Sequence, residues 1–292
     1  MTSAEPVRSI YLRREALVNG VRLHYIEAGR GPLVLLLHGF PEFWYSWRHQ
    51  IPALAAAGFH VLAPDLRGYN QSDKPAGAEN YRLDVLVEDV FGLIRHAGER
   101  SAAVVGHDWG GVIAWHLPER APQVVTKLVI LNAPHPRALG RELRSAAQWL
   151  RSWYTLFFQL PWLPELALRF RNYAVLERCF RRDPVHADAF TGEDIALYKQ
   201  ALSRPGALTA AINYYRAAFR GLRTTPAISP IRVSTLLIWG ERDRYLGVGF
   251  TEHLDPWVPG IRVERLADAS HWVQNDVPER VNRLLIDFLQ KE

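Results

Sequence analysis

The chain has 292 residues, 48% hydrophobic and 22% charged, enough to bury a large core as one domain or a domain with an insertion, which excludes disordered and collagen-like classes. Its formal charge of +5 comes from scattered arginines with no basic stripe or aromatic RNA-type motif, so a solvated surface is expected and no nucleic-acid partner. A single cysteine, Cys179, forbids an internal disulfide and a multi-cysteine metal site; it reads as a buried apolar filler in a chain suited to a reducing compartment.

The first residues, MTSAEPVRSIYLRRE, interrupt any apolar stretch before it reaches the length of a signal-peptide core. Later apolar runs stop short of a membrane span, so the expectation is a soluble cytoplasmic protein with no membrane partner. Two alternating segments follow, Ile10–Val18 and Val21–Glu27, separated by Asn19-Gly20, the strongest two-residue hairpin signal. Short continuous apolar runs then alternate with helical patterns: Leu33–Leu37, Val61–Ala63, Ala102–Val105, Leu128–Leu131 and Thr235–Trp239. Runs buried on both faces and separated by helices predict a mostly parallel sheet with right-handed crossovers, an α/β architecture.

About a hundred residues between Leu131 and Val233 carry no comparable strand run. They are helical in pattern and rich in aromatics, among them Trp149, Trp153, Tyr154, Phe158, Trp162, Tyr214 and Tyr215. Such a stretch is too long for a loop and predicts a small helical subdomain inserted in the sheet order. The expected division is a core of 1–138 and 229–292 with a helical cap, or lid, of 139–228.

The segment Ala102–Gly111, AAVVGHDWGG, puts Asp108 between glycines, directly after a buried strand and before an apolar helix over Val112–Leu117. This is a nucleophile elbow, where the strand-to-helix turn is so sharp that flanking side chains would clash. A second signal, His38-Gly39-Phe40-Pro41, ends the Leu33–Leu37 run, so its backbone is expected to face the elbow. Asp243 follows the Thr235–Trp239 strand, and His271 follows the Ile261–Leu266 segment. Nucleophile, acid, histidine is the chain order of an α/β-hydrolase triad.

A lone histidine is more often structural, but only His271 follows a late strand after both acids; His38 and His107 adjoin the elbow and are expected to shape its turns. Asp268 and Asp276 flank His271 closely, yet Asp243 follows a core strand. Asp65 reads as a turn-forming carboxylate that accepts from backbone amides. No HExxH, CxxC or phosphate-loop pattern is present, so neither a metal nor a cofactor is implied.

The sequence resembles the α/β-hydrolase-fold epoxide hydrolases over essentially its whole length. The strings that carry this are HGFPEFWYSWRHQIPALAAAGFHVLAPDLRGYNQSDKP (38–75), GHDWGG (106–111) and SHWVQNDVPERVN (270–282). Two segments of the inserted region, 153–159 and 213–216, are similar to the cap segments from which that family presents its ring-opening tyrosines, at Tyr154 and Tyr215. The resemblance also implies that the backbone N–H groups of Phe40 and Trp109 form the oxyanion hole.

These residue types suit that chemistry. An epoxide carbon is saturated, so ring opening needs an anionic nucleophile, and aspartate, with a reference pKa of about 3.9, is ionised at neutral pH. Serine would leave an ether that water could not cleave, whereas an alkyl ester on Asp108 can be hydrolysed. Tyrosine, with a reference pKa of about 10, can protonate the departing alkoxide. His271 would then activate water with Asp243 fixing its tautomer. The expected partners are a small epoxide and water, with the protein a monomer or homodimer. A haloalkane dehalogenase shares the aspartate but leaves the paired tyrosines unexplained, and a non-catalytic receptor has no need of the whole set.

Overall fold

The computed structural model describes residues 11–221 and 230–291. The expected start of the first strand at Ile10 and the cap boundary at 228/229 lie outside them. Among these residues eight strands form one sheet: β1 (Leu12–Val18), β2 (Val21–Ala28), β3 (Leu33–Leu37), β4 (His60–Pro64), β5 (Ala102–His107), β6 (Val125–Leu131), β7 (Thr235–Gly240) and β8 (Arg262–Leu266). Their order is β1-β2-β4-β3-β5-β6-β7-β8. The first two strands form the expected antiparallel hairpin, with Val18 opposite Val21 and Asn19 and Gly20 both at positive φ. β2 also pairs antiparallel with β4, and the remaining pairs are parallel.

The continuous apolar runs are explained by two cores, one on each face of the sheet. Leu33, Leu35 and Leu37 of β3 enter one cluster, with Leu128 and Ile130 of β6. Val34 and Leu36 enter the other, with Val129 and Leu131. Side chains alternate across a strand, so covering both faces with helices demands apolar residues at every position.

Among the described residues, six helices lie between β6 and β7: Pro136–Glu142, Ala146–Arg151, Trp153–Phe157, Leu163–Arg182, Gly192–Ser203 and Ala207–Gly221. The first straddles the expected 138/139 boundary. The longest is broken at Phe170–Tyr173, where Arg171, Asn172 and Tyr173 take positive φ. Several aromatics of this region face outward rather than into packing, Trp149, Trp153, Trp162, Phe170 and Phe219 among them. Cys179 is only partly buried, not the enclosed filler expected, and its thiol meets the Tyr245 hydroxyl. Among the described residues, no helix is long and apolar enough to cross a membrane.

Candidate active site

The residues singled out in the sequence converge at the carboxyl edge of the parallel strands, where open α/β sheets build their sites. His38–Pro41 follows β3, Asp108 follows β5, Asp243 follows β7 and His271 follows β8. Asp108 sits at φ 49° and ψ −120°, directly before the Trp109–Arg120 helix, which starts earlier than the apolar run alone suggested. Close approach makes this turn possible: a Cβ on Gly110 would fall on the Leu37 carbonyl, and one on Gly39 would fall on the Asp108 side chain. Only hydrogen at those two positions lets the elbow and the β3 loop touch.

The Phe40 N–H donates to Asp108 Oδ1 at 2.8 Å. Trp109 N–H is the first amide of its helix and so has no intrahelical acceptor, the usual state of helix N-terminal amides. His271 Nε2 stands 3.7 Å from Asp108 Oδ2 on the carboxylate's other side. His271 Nδ1 is 2.7 Å from Asp243 Oδ2. Asp268 and Asp276, the alternatives, are engaged elsewhere: Asp268 pairs with Arg280 at 3.2 Å, and Asp276 accepts from Ser270, Val185 and His186.

Burial alone would pull the His271 pKa down, but the charge and hydrogen bond of Asp243, with the charges of Asp108 and Glu42, outweigh it and push it up to about 9. Burial likewise would raise Asp243, yet the facing His271 and donors from Asn132 and Leu246 hold it below the usual carboxylate range. Asp243 and His271 thus favour an ion pair in the resting state.

Above the carboxylate lie aromatic rings. Tyr154 and Tyr215 have ring centroids 5.9 Å apart, and Tyr215 packs edge-on against Phe40 at 5.5 Å and Trp109 at 5.0 Å. Burial, reinforced for Tyr154 by the charges of Asp108 and Asp243, raises its phenol pKa. Burial, then the charges of Tyr154 and Asp108, does the same for Tyr215. Both phenols therefore keep their protons at neutral pH and can act as donors.

His38 and His107 are both tied by hydrogen bonds to the segments around the carboxylate. His38 Nε2 accepts from Leu66 N–H at 3.0 Å, and the Phe40–Pro41 peptide beside it is cis. His107 bridges Glu42 Oε2 and the His271 carbonyl, at 2.9 Å each. Asp65 accepts from Trp44 N–H and Asn70 Nδ2, and also faces His24 at 2.7 Å, a partner the turn reading did not include. Asn70 takes the left-handed conformation at φ 39°. Two surface clefts lie elsewhere, one around Leu12, Arg14 and His60 and one around Gln159, Trp162 and Arg169. Neither is lined by Asp108, His271 or Asp243; concavity without reactive groups does not relocate the chemistry.

Residues 32–278 match the alpha/beta hydrolase fold family. The human protein named Epoxide hydrolase 4 is 41% identical over 94% of this chain and 77% of its own length. A Bacillus subtilis (strain 168) protein named AB hydrolase superfamily protein YfhM is 42% identical over 94% of this chain and 96% of its own. The crystal structure of the Bacillus megaterium epoxide hydrolase in complex with an inhibitor superposes with a TM-score of 0.87, at 36% identity over 95% of this chain and 100% of that one. This chain belongs to the α/β-hydrolase-fold epoxide hydrolase family.

Within this family member, several site residues escaped sequence reasoning. Asn132 follows β6 at the same sheet edge; its Nδ2 donates to Asp243 Oδ2 at 2.8 Å and its Oδ1 accepts from Gly240 N–H at 2.9 Å. Its place one residue past a core strand was a usable signal. Glu42, fully enclosed with His107, carried none beyond its nearness to the His38–Pro41 string. Tyr245 packs its ring 5.3 Å from His271 and 5.9 Å from Tyr154, between two elements no local pattern links.

Proposed function

We propose that this chain hydrolyses apolar or aryl/alkyl epoxides to vicinal diols through an ester on Asp108. The observation that carries the reading is the Asp108 carboxylate held between the Phe40 N–H and His271, beneath the Tyr154 and Tyr215 rings. In the first step an Asp108 oxygen attacks a ring carbon; a C–O ester bond forms, the ring C–O bond breaks, and the oxygen takes its electron pair and a proton from Tyr154 or Tyr215.

In the second step water attacks the ester carbonyl while His271 removes its proton, and Asp243 stabilises the resulting imidazolium. The oxyanion that develops is met by the Phe40 and Trp109 N–H groups, each such donor being worth about 3 kcal/mol. Collapse releases the diol, returns the proton to the tyrosine that gave it up, and leaves one water oxygen in Asp108. His38, Gly39, Pro41 and His107 act through the shape of the site.

The core of 1–138 and 229–292 and the lid of 139–228 belong to this proposal, with the substrate between them. So do a cytoplasmic location, supported by the single Cys179, and a monomeric or homodimeric state. Side-by-side assays with styrene oxide and a bromoalkane test the substrate class. Diol release without bromide is expected. Bromide release without diol would instead indicate a haloalkane dehalogenase.

A further inference from the structure

Asp243 is not oriented by β7 alone. Its Oδ1 accepts from Tyr245 N–H at 2.7 Å and Leu246 N–H at 2.9 Å, so the carboxylate follows the backbone of loop 243–247. That backbone is gripped by the helices inserted between β6 and β7. Gln148, buried in the Ala146–Arg151 helix, holds it at two points: its Nε2 donates to the Tyr245 carbonyl at 2.8 Å, and its Oε1 accepts from Gly247 N–H at 3.2 Å. Ser152 Oγ takes the other Nε2 proton at 2.9 Å, so each amide atom faces a partner of the right kind.

Further attachments surround this one. Arg151 donates to the Asp243 carbonyl at 3.3 Å. Asp183 accepts from Arg244 at 2.9 Å and from the Tyr245 hydroxyl. These contacts come from three residues at two places in the insertion and end on the short loop that carries the triad acid.

We propose that Gln148 is a positioning residue for the hydrolytic half-reaction, with Tyr245 and Asp183 as its second attachment. By fixing residues 245–247 it keeps two amides on Asp243 Oδ1, which leaves Oδ2 aligned with His271 Nδ1. This rests on the epoxide-hydrolysis reading and extends it: the insertion governs how fast the ester is cleared as well as covering the site. Ring opening draws on Asp108, Phe40 N–H and the two tyrosines; of these Tyr154 meets loop 243–247 through its ring packing on Tyr245, a contact that both variants below leave in place. The two half-reactions should therefore separate.

The test is rapid-quench kinetics of full-length Gln148→Leu with styrene oxide, following the Asp108 ester by intact mass and the diol by chromatography. Ester formation should stay within about twofold of wild type, while ester decay slows by about tenfold or more, since leucine removes all three hydrogen bonds of the Gln148 amide. The pH at which ester decay becomes fast should fall, because His271 loses part of its pairing with Asp243. Tyr245→Phe keeps the ring against His271 and removes only the hydroxyl attachment; it should move decay in the same direction by less, and it tests the same loop should Gln148→Leu fold poorly. Equal loss of both rates in folded variants, or unchanged decay in both, overturns the proposal. Absence of any ester in wild type overturns the covalent reading and this proposal with it, whereas an ester with unaltered decay overturns only the role of Gln148.

Discussion

Asp243→Asn should divide the reaction into a surviving and a failing half. The rise of the His271 pKa from 6.5 to about 9 is equivalent to about 3 kcal/mol in favour of imidazolium, and Asp243 is the largest source opposing burial. At neutral pH the resting enzyme thus holds His271 as a cation 3.7 Å from the Asp108 carboxylate. Once Asp108 becomes a neutral ester, one of the charges holding that proton is gone, and His271 can release it to become a base. Asparagine at 243 keeps the shape but removes the charge, and its amide sets a donor against either His271 Nδ1–H and the Asn132 amide together or the Tyr245 and Leu246 N–H groups. Ring opening should stay within a few-fold of wild type while ester hydrolysis falls by about 10³–10⁴. Rapid-quench mass spectrometry reads both steps, and the imidazole titration followed by NMR should fall well below that of wild type, because burial is then opposed only by the charges of Asp108 and Glu42. Ester hydrolysis within tenfold of wild type, or ring opening lost as steeply, would refute the reasoning.

Two other outcomes follow from the site. Tyr154→Phe with Tyr215→Phe should abolish ester formation, because the two phenols assigned to protonate the ring oxygen would be gone; a burst of ester in the double variant would remove both from the mechanism. Stability should also depend on pH. His271, raised when folded, contributes stability fully present below 6.5 and lost as pH rises through about 9, while Asp243, lowered when folded, contributes above 3.8 and loses it as pH falls through its depressed value. The wild-type thermal midpoint should therefore decline between pH 7 and 10 more steeply than that of His271→Gln, and parallel curves would argue against the ion pair.

Much of the scaffold was legible because its determinants are local. Asn19-Gly20 specifies its own turn, and the runs in β3, β6 and β7 announce strands buried on both faces without reference to any partner. The elbow was legible for the same reason: Asp108 and its glycines are consecutive. What could not be read were choices made over distance. Gln148 and Gly247 are ordinary residues until the fold sets them 3.2 Å apart, and nothing near Glu42 names His107 as its partner. The break at Phe170–Tyr173 is similar, since of its left-handed residues only Asn172 is a type that tolerates the conformation readily. The aromatic richness of 149–170 does not tell lining from surface: Trp149, Trp153 and Trp162 face solvent while Tyr154 and Phe158 turn inward.

The covalent role of Asp108 is tested most directly by one enzyme turnover in ¹⁸O-water with enzyme in excess, followed by mass analysis of the peptide containing Asp108 and of the diol. Label should enter the Asp108 carboxylate, with little in the first-turnover diol, because the diol's new oxygen comes from the protein. Label mainly in the diol, with Asp108 unlabelled, would contradict it.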